Sequence, residues 1–151
     1  MTDDRNLDEM NVIAPTGQIF SVHESVLSSR GRYSGYCAVS AGGDQVLSIV
    51  VEFMALGSFD AWKKKMGDDW VPPQGRSRLN AAGGGWTGPS DAAVFVPCTL
   101  ANPSSMARDG GISVTVRTND DDNYQEQVTT IVERAAKVAA SSSGPCVTST
   151  D

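Results

Sequence analysis

The chain has 151 residues, 40 % hydrophobic and 20 % charged, with 12 Lys and Arg against 18 Asp and Glu for a net charge of −6. A chain of this length buries roughly 70 % of its extended surface, enough for one core without metals or a dense disulfide framework. The composition is that of an ordinary globular domain and excludes disordered and collagenous classes. The basic residues fall in small groups at Arg30/Arg32, Lys63 to Lys65 and Arg76/Arg78, so a concentrated positive surface for nucleic acid or anionic membrane is not expected.

Residues 1–11 carry Asp3, Asp4, Asp8 and Glu9 with few apolar anchors and read as a flexible segment; 147–151 read as a flexible tail, leaving one domain over 12–146. The acidic start lacks the basic flank and apolar run of a signal peptide. Either the chain is cytoplasmic, or Met1 opens a piece of a longer protein. The longest apolar stretch, Val46 to Leu56, is broken by Ser48 and Glu52 and falls short of the roughly 20 residues that span a bilayer, so no transmembrane segment is expected.

Alternation predicts a first strand over 17–26, after a turn at Pro15-Thr16-Gly17. A second strand is predicted over 32–40, a hairpin loop at Ala41-Gly42-Gly43-Asp44, and a third strand over 45–53 that is apolar on both faces. Ser58 then changes the period. Phe59, Trp62 and Met66 lie at i, i+3 and i+7, Lys63 to Lys65 follow, and Gly67 is the expected stop of a short amphipathic helix. Residues 68–78, with Pro72-Pro73 and Gly75, predict a long exposed loop, and 81–86 a glycine-weakened strand. Strands are predicted over 91–100 and 111–117, the first with Pro97 near its end. Asn123 with Glu126 fits a capping box ahead of Val128, Val132, Ala135 and Ala139 at helical spacing. The order β-β-β-α-β-β-β-α predicts an α+β fold: an antiparallel sheet covered on one face by two helices, a two-layer sandwich.

Few residues offer chemistry. His23 is the only histidine, so any imidazole-dependent nucleophile pair must include it, and a Cys37-His23 pair on neighbouring strands is conceivable, without a nucleophile elbow or a visible positioned partner. Metal ligation is not expected with one histidine and no CxxC unit. Gly83-Gly84-Gly85-Trp86 lacks the G-K-[ST] of a phosphate loop, and Asp120-Asp121-Asp122-Asn123 lacks the Gly and Glu of a calcium loop, so packing and helix capping explain them better. Asp68 and Asp69 beside Trp70 bring to mind an acid site flanked by an aromatic, but sequence neighbours do not define a shared cleft. No catalytic residue and no cofactor is assigned. Trp62 reads as core, whereas Trp70 and Trp86, near the predicted loop, are candidate binding residues because exposed loop aromatics are natural anchors.

Three cysteines allow at most one disulfide within the chain. Cys98 ends a strand and Cys146 follows the last helix, an arrangement that could staple the C-terminal segment to the sheet, worth about 4 kcal/mol on the chain-entropy model. Three free thiols, or a pair using Cys37, are the alternatives. The excess of Arg over Lys, with abundant Ala, Gly and Asp, hints at a GC-rich source.

The run Tyr36-Cys37-Ala38-Val39-Ser40, the strand Leu47-Ser48-Ile49-Val50-Val51, the segment Ala93-Val94-Phe95-Val96-Pro97-Cys98 and an Ala-rich helix closing on Cys146 resemble the extracytoplasmic domains of actinobacterial membrane-anchored or secreted proteins of unknown function. The likeness covers roughly 32–146. It implies an envelope location, paired cysteines and no assigned chemistry. The expectation is therefore a non-catalytic extracytoplasmic domain that binds a protein or cell-envelope ligand. The alternatives are a small intracellular thiol-dependent hydrolase using Cys37 and His23, or a structural subunit of a larger assembly.

Overall fold

A computed structural model describes residues 13, 20–29, 32–55, 59–70, 77–81, 83–100, 108–120, 122–141 and 146–147. The expectation for 1–11 lies outside them, as does that for 148–151; Val147, the first residue of the expected tail 147–151, is described and pairs with Thr99 in the sheet. The described elements run β1 (Phe20–Ser29), β2 (Arg32–Ala41), β3 (Asp44–Met54), α1 (Phe59–Trp70), β4 (Ser77–Leu79), β5 (Gly85–Thr87), β6 (Asp91–Leu100), β7 (Arg108–Thr118), α2 (Gln125–Ala140) and β8 (Cys146–Val147). All strands join one antiparallel sheet in the order β1-β2-β3-β7-β6-β5-β4, with β8 pairing the far end of β6. The fold is α+β, an antiparallel sheet with helices packed on it.

The β2–β3 hairpin shows how local sequence sets register. Gly42 and Gly43 both take positive φ, 61° and 93°, as a two-residue turn matched to strand twist requires. Ala41 therefore pairs with Asp44, and Cys37 with Ile49 further along the ladder.

Strand β6 fixes the layering. Its Ala92, Val94 and Val96 join Ile112, Val114 and Val116 of β7 and Leu47, Ile49 and Val51 of β3 in one core, closed by Val128, Ile131, Val132, Ala136 and Ala139 of α2. The intervening Ala93 and Phe95 turn the other way, to Trp62 and Met66 of α1, Met54 and Trp86. The helices thus take one face each instead of sharing one, and the sheet is the middle of three layers at this end. The reason is in β6 itself: it is apolar at every position from Ala92 to Val96, so neither face can be left wet.

On the α1 side, Trp62 is fully buried, its ring 4.8 Å from that of Trp86 and 5.8 Å from that of Phe95. Its indole N–H donates to Ser113 Oγ at 3.0 Å, which lets a polar ring edge sit inside the layer. Close approach demands several of the glycines, and two of them shape this layer. A Cβ at Gly111 would overlap the Phe95 ring, and one at Gly85 would overlap the Ala93 carbonyl. The missing side chain at 85 lets the short strand β5 lie flush against β6.

Several boundaries differ from expectation. Helix α1 does not stop at Gly67 but runs to Trp70, and β4 lies within the stretch expected to be loop. At α2 the N-cap is Tyr124, without a side-chain cap bond, while Asn123 Oδ1 accepts from the Gln125 N–H at 3.2 Å. The asparagine serves the helix start from one position outside the expected capping box.

Candidate functional site

Helix α1 covers only part of its face. It lies over Ala93, Phe95, Trp86 and Ser113, and beyond them the same face of the sheet continues across β3, β2 and β1. Direct cross-strand partners share a face, so the ladders define what lies there. One row reads His23, Ala38, Ser48, Arg117 and Asp91 across β1, β2, β3, β7 and β6. The next reads Ser25, Tyr36, Val50 and Thr115, then Ala93 at the edge of the helix-covered part. His23 and Ser25 are exposed, Tyr36, Ser48 and Val50 are half-buried, and Ala38 and Thr115 are buried between them.

Fixed polar groups frame these residues. Arg117 is 44 % exposed, with a guanidinium nitrogen 3.6 Å from a carboxylate oxygen of Asp91, which is itself buried. The ion pair tethers the cation at one end of the row. Tyr36 donates its hydroxyl proton to Gln45 Oε1 at 2.9 Å, and Thr115 Oγ1 lies 3.5 Å from the Val50 carbonyl. His23, Ser48 and Arg117 thus offer spaced donors and acceptors over small side chains. The arrangement suits docking of an extended polar ligand by many weak contacts.

It does not suit nucleophilic catalysis through the pair considered above. His23 pairs with Ala38, and Cys37 pairs with Glu24. Adjacent strand residues point to opposite faces, so His23 stands on the open face and Cys37 in the core on the α2 side. Cys37 is a free thiol, 1 % exposed, and burial first, then the Glu24 charge, push its pKa up, opposite to what an activated nucleophile needs.

The two candidate tryptophans separate. Trp86 is buried, stacked at a tilt on Trp62 inside the layer, and is a core residue rather than an exposed anchor. It sits in β5, whose pairing with Ala93 aims the ring beneath α1. Trp70 is the last residue of α1, and its side chain is outside the described set. Strand β8 brings Cys146 opposite Leu100, on the face that Cys98 shares. Asp120 Oδ1 accepts from the Asp122 N–H at 3.1 Å, a local turn role for the acidic run. Tyr124 beside it has its pKa raised by burial and by the charges of Asp120 and Asp122. Among the described residues no cluster of three or more His, Cys, Asp or Glu is placed to hold a metal, and no helix is long and apolar enough to cross a membrane.

No protein-family model matches the chain, nor does any curated protein or solved structure. The row from His23 to Arg117 was not singled out from the sequence. The strand over 45–53 reads as apolar on both faces, and only the pairing register shows that Ser48 lines up with Arg117 on the neighbouring strand.

Proposed function

We propose that this domain is a non-catalytic binding module acting outside the cytoplasm, docking a protein or cell-envelope ligand on the half of its sheet face that no described helix covers. The observation that carries this reading is the row of His23, Ser48 and Arg117, polar side chains exposed or half-buried on one face of three neighbouring ladders, with the buried Ala38 between the first two. Trp70, at the end of α1, is kept as a further candidate contact. The hydrolase alternative needs His23 and Cys37 on one face, and the ladder argues against it. No nucleic-acid partner is proposed, because the net charge of −6 works against one.

The extracytoplasmic setting is supported by the resemblance over 32–146 and by the cysteines. Among the described residues Cys37 is a free thiol, and β8 pairs Cys146 with the end of β6, the strand that carries Cys98. A Cys98–Cys146 bridge is part of the proposal. A non-reducing peptide map tests it: the two peptides should run linked with Cys37 alone alkylated, and ready alkylation of Cys98 in the folded protein would withdraw it. For the ligand, a photo-crosslinking residue at position 48 should give a discrete adduct on intact cells, and one at position 64, on the exposed side of α1, should not. Equal labelling from both positions, or none from either, would withdraw the docking surface.

A further inference from the structure

We propose that the α2-side face of β2 and β3 is a receptor groove for this chain's own segment about Ile13, which docks there as a separable ligand. The inference concerns the face opposite the polar row and does not depend on what that row binds.

Ile13 is helical and buried, and it belongs to the core between the sheet and α2. Every other buried residue of that core lies on a described strand or on α2 itself. The helix is too narrow to roof this face alone. It packs on β5, β6, β7 and β8, while β2 lies two strands beyond β7, about 10 Å away at the spacing of a sheet. A helix with its side chains reaches only about 5–6 Å from its axis. Yet Cys37 and Val39 of β2 are 1 % and 2 % exposed. A further piece of chain covers them, and Ile13 is its described member.

Exposure marks where this cover ends. On β1, Val22 stands opposite Val39 on the same face and is 45 % exposed, so the cover stops between β1 and β2. On α2, Thr129 and Gln125 bond to Thr87 and Ser77, which turns their flank towards β5 and β4. Ile131 and Val138, seven residues apart, share the opposite flank. Ile131 is fully buried and Val138 is exposed, so the cover lies beside the first turns of α2 and falls short of its end. Connectivity leads to the same place. Phe20, seven residues after Ile13, pairs with Ala41, two residues beyond Val39, and seven residues reach up to about 24 Å.

The occupant is amphipathic in sequence: Leu7 and Met10 precede Ile13 at intervals of three, with Asp8, Glu9 and Asn11 among the intervening residues. An apolar groove takes such a stripe as it takes any amphipathic peptide. A short tether gives the segment an effective concentration on the order of mM, so modest affinity is enough to keep it seated.

Cys37 serves as the reporter, read by peptide mapping after brief alkylation of the native full-length chain. Ile13→Glu should speed its alkylation at least about tenfold, through local opening of the groove. Tryptophan emission should stay that of the parent, because Trp62 and Trp86 lie in the layer across the sheet. A peptide of residues 5–16 added to this variant should restore the slow rate with a midpoint between about 10 µM and about 1 mM, and the same peptide carrying Ile13→Glu should not. Ile13→Val should match the parent. Ile13→Ala, which decides the matter if Ile13→Glu does not fold, should show the same peptide-reversible exposure at about threefold. An alkylation rate indifferent to these substitutions overturns the proposal. So does exposure that the peptide does not reverse, or a loss of native tryptophan emission in step with it in both Ile13→Glu and Ile13→Ala, which makes Ile13 an inseparable part of the folded unit.

Discussion

A side chain on β6 between Ala92 and Val96 meets packed atoms whichever face it takes; at the opposite edge, on β1 from Ser21 to Val26, it meets water on either. The two strands are of equal length and belong to one ladder system. Helices make the difference, one on each face at the β6 end. The consequence is a division of labour. The β5–β7 end holds most of the apolar burial and is constrained residue by residue. The β1–β3 end carries polar, small and replaceable side chains on its α1-side face, which is where recognition can change without loss of the fold.

Substitutions break this comparison in graded steps. Trp62→Ala should have the largest effect, about 3–5 kcal/mol in denaturant unfolding, because it empties the space between α1, Trp86 and Phe95. A loss below about 1 kcal/mol would mean that α1 is not integral to the layer. Ser113→Ala removes the acceptor of the Trp62 indole N–H and should cost about 1–3 kcal/mol. On the open half, Ser48→Lys should change unfolding by no more than about 0.5 kcal/mol, and a larger loss would show that this face is covered.

The smallest effect is a slope. Burial, and after it the Glu24 charge, raise the Cys37 pKa above its ordinary value of 9.0. The folded state therefore keeps a proton that the unfolded chain gives up. Its contribution to stability is full below that ordinary value and is lost as pH rises through the higher folded pKa. Unfolding followed from pH 7.5 to 10.5 should show a steeper alkaline loss in the parent than in Cys37→Ala; parallel profiles would place the thiol in water.

The same division decided how much of the molecule could be read from its sequence. Sequence pattern located β2, β3 and β6 to within a residue or two: Cys37 shares a face with Tyr33 and Val39, whereas Ile49 and Val94 lie in runs that are apolar on both faces. The spacing of Phe59, Trp62 and Met66 gave α1 its start and its buried face. Its end was missed, since packing of the earlier turns carries the helix past Gly67. The short strands β4 and β8 have two or three residues each and no period to detect; they exist because a neighbouring edge is there to pair with. The open row from His23 to Arg117 depends on the register of three ladders, which is a tertiary property. Trp86 misleads for a related reason: beside glycines it reads as loop, while Gly85 is what lets its strand press against β6.

The contact between Phe95 and Gly111 has an evolutionary meaning. The ring occupies the volume that any side chain at 111 would need, so the two positions share one allotment of space. A descendant of this chain can gain bulk at 111 only by losing the aromatic at 95, through an intermediate that is either overfilled or hollow. Drift at this pair should therefore be slow and correlated. A glycine diagonally across from a phenylalanine on adjacent strands, with a tryptophan from a helix above them, is the pattern by which distant relatives would be known.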